Sequence, residues 1–374
     1  MPPSSREDLS KNRIVGYDLA RALAVFGMVV VNFKIVMGAE RHGPDWLVSL
    51  VGLIDGRAAA TFVVLAGAGL SLLSSKGRTQ NDSVLLARDR RTLLKRAAFL
   101  FVVGSLYTSI WPADILHFYG VYLAGAAFLL AAPTRRLWAV AGSLVLAFGV
   151  MLFVLDYEKG WDWSNLSYEG LWTPVGMVRH VFFNGFHPVV PWLAFVLLGM
   201  ILGRQNMASP AVRRRVFAWG AGVAVAAELM SWLLINALVS VASPSEGQNI
   251  RAVFGTGPMP PMPLYMIAGA GTACAVIAAS ISLGERCGDS VWLRPFVATG
   301  QLALTLYVGH VVIGMGTLEA CGRLENQTLP FAVSASAFFC VAGVIFAHAW
   351  RRKFRRGPIE AVMRAWTGPK TRSS

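Results

Sequence analysis

Ten apolar runs restrict what this chain can become, falling near residues 19–38, 58–75, 97–111, 115–132, 137–155, 189–203, 216–242, 264–283, 296–316 and 330–349. A helix needs about 20 apolar residues to cross the hydrocarbon core of a bilayer. In lipid the backbone must satisfy its own hydrogen bonds, which leaves helices or closed barrels as spanning structures, and runs of this length specify helices. The expectation is an all-α fold: a polytopic transmembrane bundle of about ten helices. It forms one integral-membrane domain over residues 1–374, with a polar N-terminal segment, 1–13, and a basic tail, 350–374. The third, fourth and sixth runs are short for a full span and point to tilt, re-entry or burial among neighbouring helices. Charged residues make up 14% of the chain and apolar residues 55%, against about 25% charged in ordinary soluble domains. A soluble enzyme is excluded, and no separate soluble domain fits in what remains.

The net charge of +14 is explained by where the basic residues lie. With a cytoplasmic N-terminus, 26 of the 34 Lys and Arg fall in the segments that would face the cytoplasm. Only Arg41, Lys159, Arg179, Arg251 and Arg323 fall in the opposite loops. By the positive-inside rule both termini are expected on the cytoplasmic side of the membrane. The basic clusters then anchor against anionic lipid headgroups, and nucleic acid drops out as a partner. Asp18 and Arg21 interrupt the place where a signal peptide would be uncharged, so the first helix is expected to be retained. The outward loops 156–188 and 243–263 are rich in Trp and Pro, among them Trp161, Trp163, Trp172, Pro258 and Pro260. Such loops suit a membrane-interface cap.

Ionisable groups inside a bilayer are costly unless paired or wet, so they mark candidate sites. Asp18 and Arg21 stand three residues apart at the entrance of the first helix, within mutual reach. They read either as an interfacial pair orienting the helix or as a cytoplasmic anion site in which Arg21 holds a phosphate or carboxylate. Five of the six histidines, His42, His117, His180, His187 and His310, fall within the bilayer or on its outward side. They lie in the same region as Asp45, Asp55, Asp114, Asp156, Asp162, Glu169 and Glu319, and a base with an orienting carboxylate can be built from such a set. Gly67 and Gly69 read as a site of close helix approach. Cys274, Cys287, Cys321 and Cys340 form no CxxC pair, so neither a zinc site nor a disulfide framework is indicated. GxSxG, HExxH and Walker sequences do not occur, which removes the common soluble hydrolase, zinc-protease and nucleotidase chemistries.

Several segments together resemble the YeiB family of multi-pass bacterial membrane proteins, also called domain of unknown function 418. The stretch Arg13 to Ala24, with Asp18 and Arg21, followed by Gly27-Met28 and Val31-Asn32, is similar to that family's opening signature, with Ala22 where a glycine is usual. Asp114-Ile115-Leu116-His117-Phe118-Tyr119, Gly300-Gln301-Leu302-Ala303-Leu304-Thr305-Leu306-Tyr307 and Gly357-Pro358-Ile359-Glu360 resemble later motifs, in order. The family is in turn similar to transmembrane acyltransferases such as heparan-alpha-glucosaminide N-acetyltransferase. In that enzyme a histidine followed closely by tryptophan precedes the second helix. His42 and Trp46 take the corresponding place here, with spacing one residue different.

The resemblance implies transfer of an acyl group from cytosolic acyl-CoA, acetyl-CoA in the first instance, to an outward small-molecule or glycan acceptor, with no metal. On that reading His42, His117 and His310 are the catalytic candidates. Asp18, Arg21 and Lys34 are the candidates for holding the anionic donor. The alternatives are a transporter or flippase using the same buried charges, and a structural or regulatory membrane component without turnover.

Overall fold

The computed structural model describes residues 14–288 and 290–368. The polar segment 1–13 and the last six residues of the basic tail lie outside the described residues. The architecture is all-helical apart from one two-stranded antiparallel ribbon. In chain order the helices are α1 (Val15–Val36), α2 (Asp45–Gly52), α3 (Arg57–Leu73), α4 (Ser83–Tyr107), α5 (Leu116–Ala127) and α6 (Thr134–Val154). The ribbon follows, β1 (Trp161–Asp162) paired with β2 (Ser167–Tyr168), then α7 (Pro174–Arg179), α8 (Val189–Leu202), α9 (Pro210–Val239) and α10 (Pro244–Phe254). The chain continues through α11 (Pro263–Cys287), α12 (Arg294–Gln301), α13 (Ala303–Gly309), α14 (Leu329–Lys353) and α15 (Pro358–Thr367).

Every apolar run has become helix, but not every helix is long and apolar enough to cross a bilayer. Among the described residues seven helical segments are, with Asp45–Leu73 and Ala303–Ala320 each taken as one, and the bent pair Pro174–Asn184 and Val189–Leu202, with 51° between its halves, makes an eighth if taken as one span. The expected number of about ten falls because the third and fourth runs became α4 and α5. Half of α4 carries Arg88, Asp89, Arg90, Arg91, Lys95 and Arg96, and α5 has only 12 residues. The chain is an integral membrane protein.

Burial sorts the helices by role. α1 and α11 have 56% and 50% of their spans buried, whereas α6 and α9 have 17% and 11%, so the first two are central and the last two face lipid. α1 packs against α3, α11, α12 and α14. α3 crosses α8 at backbone contact, because a Cβ on Gly67 would stand 1.9 Å from the Val196 carbonyl oxygen and one on Gly199 2.0 Å from that of Val64. Removing both side chains lets the two helices touch through their backbones. Gly69, by contrast, meets open space.

Val15, at the start of α1, lines one pocket with His348, Arg351 and Arg352 near the end of α14. The start of α1 and the end of α14 therefore lie on one face of the bundle, the tail face. The opposite, or loop, face gathers the end of α1, the α2–α3 turn and the 258–263 segment, joined by contacts such as Gln327 N–H to the Met37 carbonyl at 3.1 Å and Leu329 N–H to the His42 carbonyl at 2.8 Å.

Candidate active site

The residues with most chemical potential surround the start of α5. Between α4 and α5 the chain turns through Trp111 to Ile115, and the Asp114 carboxylate folds over the helix entrance. Its Oδ2 accepts from the backbone amides of Leu116 at 2.8 Å and His117 at 3.2 Å. These amides have no intrahelical acceptor, so the carboxylate satisfies them and is favoured by the helix dipole. The same oxygen accepts from His117 Nδ1 at 3.0 Å, and Oδ1 accepts from the Tyr307 hydroxyl at 3.3 Å. Tyr307, on α13, takes the Ile115 amide at 3.1 Å in return.

Asp114 and His117 are 0% and 1% exposed. Four hydrogen-bond donors surround this one buried carboxylate. With its Nδ1 proton committed to Asp114, the His117 ring presents Nε2 as a lone pair. That atom has no hydrogen-bond partner among the described residues. A carboxylate fixing one nitrogen so that the other can accept a proton is the geometry of a general base.

Two more histidines complete the cluster. α7 runs on into a π-helical turn, His180–Asn184, which swings the His180 ring onto that of His117, centroids 5.4 Å apart and nearly parallel. Phe118 lies 5.2 Å from His180 and 5.9 Å from His187. Nδ1 of both His180 and His187 also lacks a partner. A second π-helical turn, His310–Met315, follows α13. There His310 Nδ1 meets the Tyr307 carbonyl, and Nε2 meets the Asn32 side-chain amide on α1 at 2.9 Å. A carbonyl can only accept, so the His310 proton is on Nδ1 and Nε2 accepts from Asn32. π-helical turns are rare and recur at functional sites; both here begin at a histidine.

The cluster sits between two openings. A small cavity of about 80 Å³ is lined by Asn32, His187 and Tyr307, with Met28, Gly56 and Ile115. A larger pocket of about 510 Å³ on the loop face is lined by His180, Trp161, Tyr168 and Trp172 of the ribbon loop and by Thr108 and Ser109 after α4.

The structure separates the six residues singled out by sequence. His117 is in the dyad, and His310 is joined to it through Tyr307. His42 is exposed and lines neither opening; its one side-chain hydrogen bond among the described residues runs from Nδ1 to the Gly38 carbonyl at 2.8 Å. Asp18 and Arg21 pair at 2.7 Å on the tail face, and Gln301 Nε2 reaches Asp18 at 3.4 Å. Gln301 also lines a 290 Å³ pocket with Arg294, His348, Arg351 and Arg352. Lys34 is not with them. It lies sixteen residues on from Asp18, about 24 Å along α1, and grips both oxygens of Asp55 at 2.6 Å near the loop face.

Asn32, Tyr307, His180 and His187 were not among those six. The outward placement of the two histidines was a signal for them. Nothing in the local sequence marks Tyr307 as the partner of a carboxylate 193 positions away. Among the described residues no group of three or more His, Cys, Asp or Glu is arranged to hold a metal ion.

Comparison with known proteins places this geometry in a family. Residues 202–370 match the model described as protein of unknown function DUF418. A curated relative, the uncharacterized protein YxaH of Bacillus subtilis (strain 168), is 22% identical over an alignment covering 97% of this chain and 96% of its own. Residues 13–238, which contain α1, the Asp114–His117 dyad and the histidine cluster, match the model described as heparan-alpha-glucosaminide N-acetyltransferase, catalytic. That match takes in more than half of the sequence, and the chain belongs to the family described by that model, with a C-terminal portion matching DUF418.

Proposed function

We propose that the protein is an acyltransferase of the bacterial cytoplasmic membrane, moving an acetyl or other acyl group from acyl-CoA to an acceptor admitted on the loop face. The observation that carries this reading is the buried Asp114–His117 dyad, whose unpartnered Nε2 belongs to a ring stacked on that of His180, a residue lining the loop-face pocket. The name of the matched family supports the reaction class. The tail-face pocket suits the donor: Arg294, Arg351 and Arg352 offer guanidinium groups for phosphate oxygens, and Asp18–Arg21 stands behind Gln301. The excess of basic residues near this face supports its being cytoplasmic.

In this scheme His117 accepts the acceptor's proton as the new bond forms at the acyl carbon. Asp114 stabilises the imidazolium, and the proton leaves with the CoA thiolate as the C–S bond breaks. Tyr307 and Asn32 hold the far side of the cluster in register.

Purified protein incubated with acetyl-CoA labelled in the acetyl group tests the proposal. Thioester cleavage or acyl transfer is expected from the wild type. His117→Ala should lower it by about 10²–10⁴-fold, the usual contribution of a positioned acid–base group, while inserting and purifying normally. Undiminished turnover by His117→Ala refutes the assignment. A transporter is the second reading, favoured by the bent pair around His187 and the break between α12 and α13, since discontinuous helices recur in transporters. Uptake of a substrate into vesicles without covalent change would replace the enzyme by that reading.

A further inference from the structure

The loop-face pocket has a lining that says what it can take. Its walls are the rings of Trp161, Tyr168 and Trp172, its rim carries Thr108, Ser109, Ser167 and Thr173, and His180 reaches into it. Neither a carboxylate nor an ammonium or guanidinium group lines it. The Ser109 and Ser167 hydroxyls and the Trp172 indole N–H make no hydrogen bond among the described residues, so they are available to a guest. Two of the ring polar atoms are already committed: Trp161 Nε1 donates to the Asn184 carbonyl at 2.6 Å and the Tyr168 hydroxyl to Asn184 Oδ1 at 2.8 Å. A volume of about 510 Å³ falls within the range of pockets that enclose small molecules.

We infer that this pocket binds a neutral carbohydrate ring and that the acyl group is delivered to one of its hydroxyls, giving an ester rather than an amide. The inference rests on the acyltransferase reading above. Flat aromatic walls cover the C–H faces of a sugar ring, and unpaired hydroxyl and indole groups meet its hydroxyls. A protonated amine would need a counter-charge on burial, and the lining supplies none. Aromatic faces can attract a cation, but the Arg179 guanidinium already lies 5.4 Å from the Tyr168 ring centre, and its Nε donates to the Tyr168 hydroxyl at 2.6 Å. That fixed positive charge repels a second one.

A hydroxyl is also the acceptor that most needs a general base, because it is not nucleophilic until its proton is being removed. The balance is simple. The acceptor O–H proton passes to His117, whose ring stacks on that of His180 in the pocket lining, and the acceptor oxygen bonds to the acyl carbon. The C–S bond breaks, and the proton departs with CoA as the thiol. One ester and one thiol replace one alcohol and one thioester.

The test uses the full-length protein in a detergent without a sugar headgroup, with labelled acetyl-CoA. Methyl glucoside, methyl mannoside, glucosamine and a medium-chain primary alcohol are supplied separately, and products are read by mass spectrometry. Acetate esters on a methyl glycoside are expected. Trp172→Ala should raise the KM for that glycoside about ten-fold, as loss of one stacking ring does, and Trp172→Phe should recover most of the loss. Amide formation on glucosamine without glycoside esters, transfer only to the primary alcohol, or thioester hydrolysis with no transfer to any glycoside would each overturn the inference and leave the acyltransferase reading intact. Absence of thioester cleavage altogether would sink both.

Discussion

At the scale of single residues, Asp114 does two jobs with one carboxylate. It closes the start of α5 by accepting the Leu116 and His117 amides, and it orients the His117 ring. Asp114→Asn separates them, because an amide oxygen can still accept from the backbone while the negative charge facing His117 Nδ1 is lost. The expected outcome is a fall in thioester turnover of about 10²–10⁴-fold, with a small shift in the unfolding midpoint of the detergent-solubilised protein. A variant that keeps turnover within a few-fold of wild type would remove Asp114 from the mechanism. Asp114 and His117 were both legible in the sequence as an acid and a histidine three apart. That His117 rather than His42 meets the other histidines was not, since both occupy outward positions and only burial separates them.

At the scale of elements, the break between α12 and α13 shows how a tail motif serves the site. Leu302 leaves helical geometry, which exposes the amides that begin α13. Glu360, near the start of α15, accepts from Leu304 N at 2.8 Å and Thr305 N at 3.0 Å, and from the Thr305 hydroxyl. The carboxylate is thus an N-cap supplied from 55 residues away to the helix carrying Tyr307, with His310 in the turn that follows. Glu360→Ala should destabilise the protein by about 1–3 kcal/mol, the cost of leaving such groups unpaired, and lower turnover with it. Glu360→Gln should lose less, because one amide oxygen remains to accept. Thermal unfolding in detergent beside a turnover assay checks this, and equal effects of the two variants would count against capping.

The loop helix α10 offers a pH-dependent counterpart. Hydrogen bonds from the Ser243 hydroxyl and amide hold the Glu246 carboxyl below its ordinary range. A lowered folded-state value means that the stabilisation is present above the unfolded carboxylate range and is lost as pH falls through the folded value. Amides at the start of α10 should therefore lose exchange protection as the pH is lowered past that range. Ser243→Ala should show weak protection at every pH, and unchanged protection in that variant would dismiss the capping box.

At the scale of the whole molecule, native cysteines report the orientation. Cys287, at the tail-face end of α11, and Cys321, on the loop side between α13 and α14, are both exposed. If the basic tail face is cytoplasmic, a membrane-impermeant thiol reagent should label Cys321 in intact spheroplasts and Cys287 only after permeabilisation, read by peptide mass spectrometry; the reverse pattern would invert the topology.

The apolar runs and their order were readable from the chain, because hydropathy and span length are local properties that need no partner. That the third and fourth runs fall short of spans was readable too, in their length. The assembly of the site was decided elsewhere. Asp114, His117, His180, His187 and Tyr307 come from three separate stretches of sequence, and two π-helical turns set the directions of His180 and His310. Those placements depend on how α5 packs against α4 and α8 and how α13 packs against α1. That fit is set by long-range contact between faces that look alike in a one-dimensional apolar pattern, so only the folded bundle could select among the histidines.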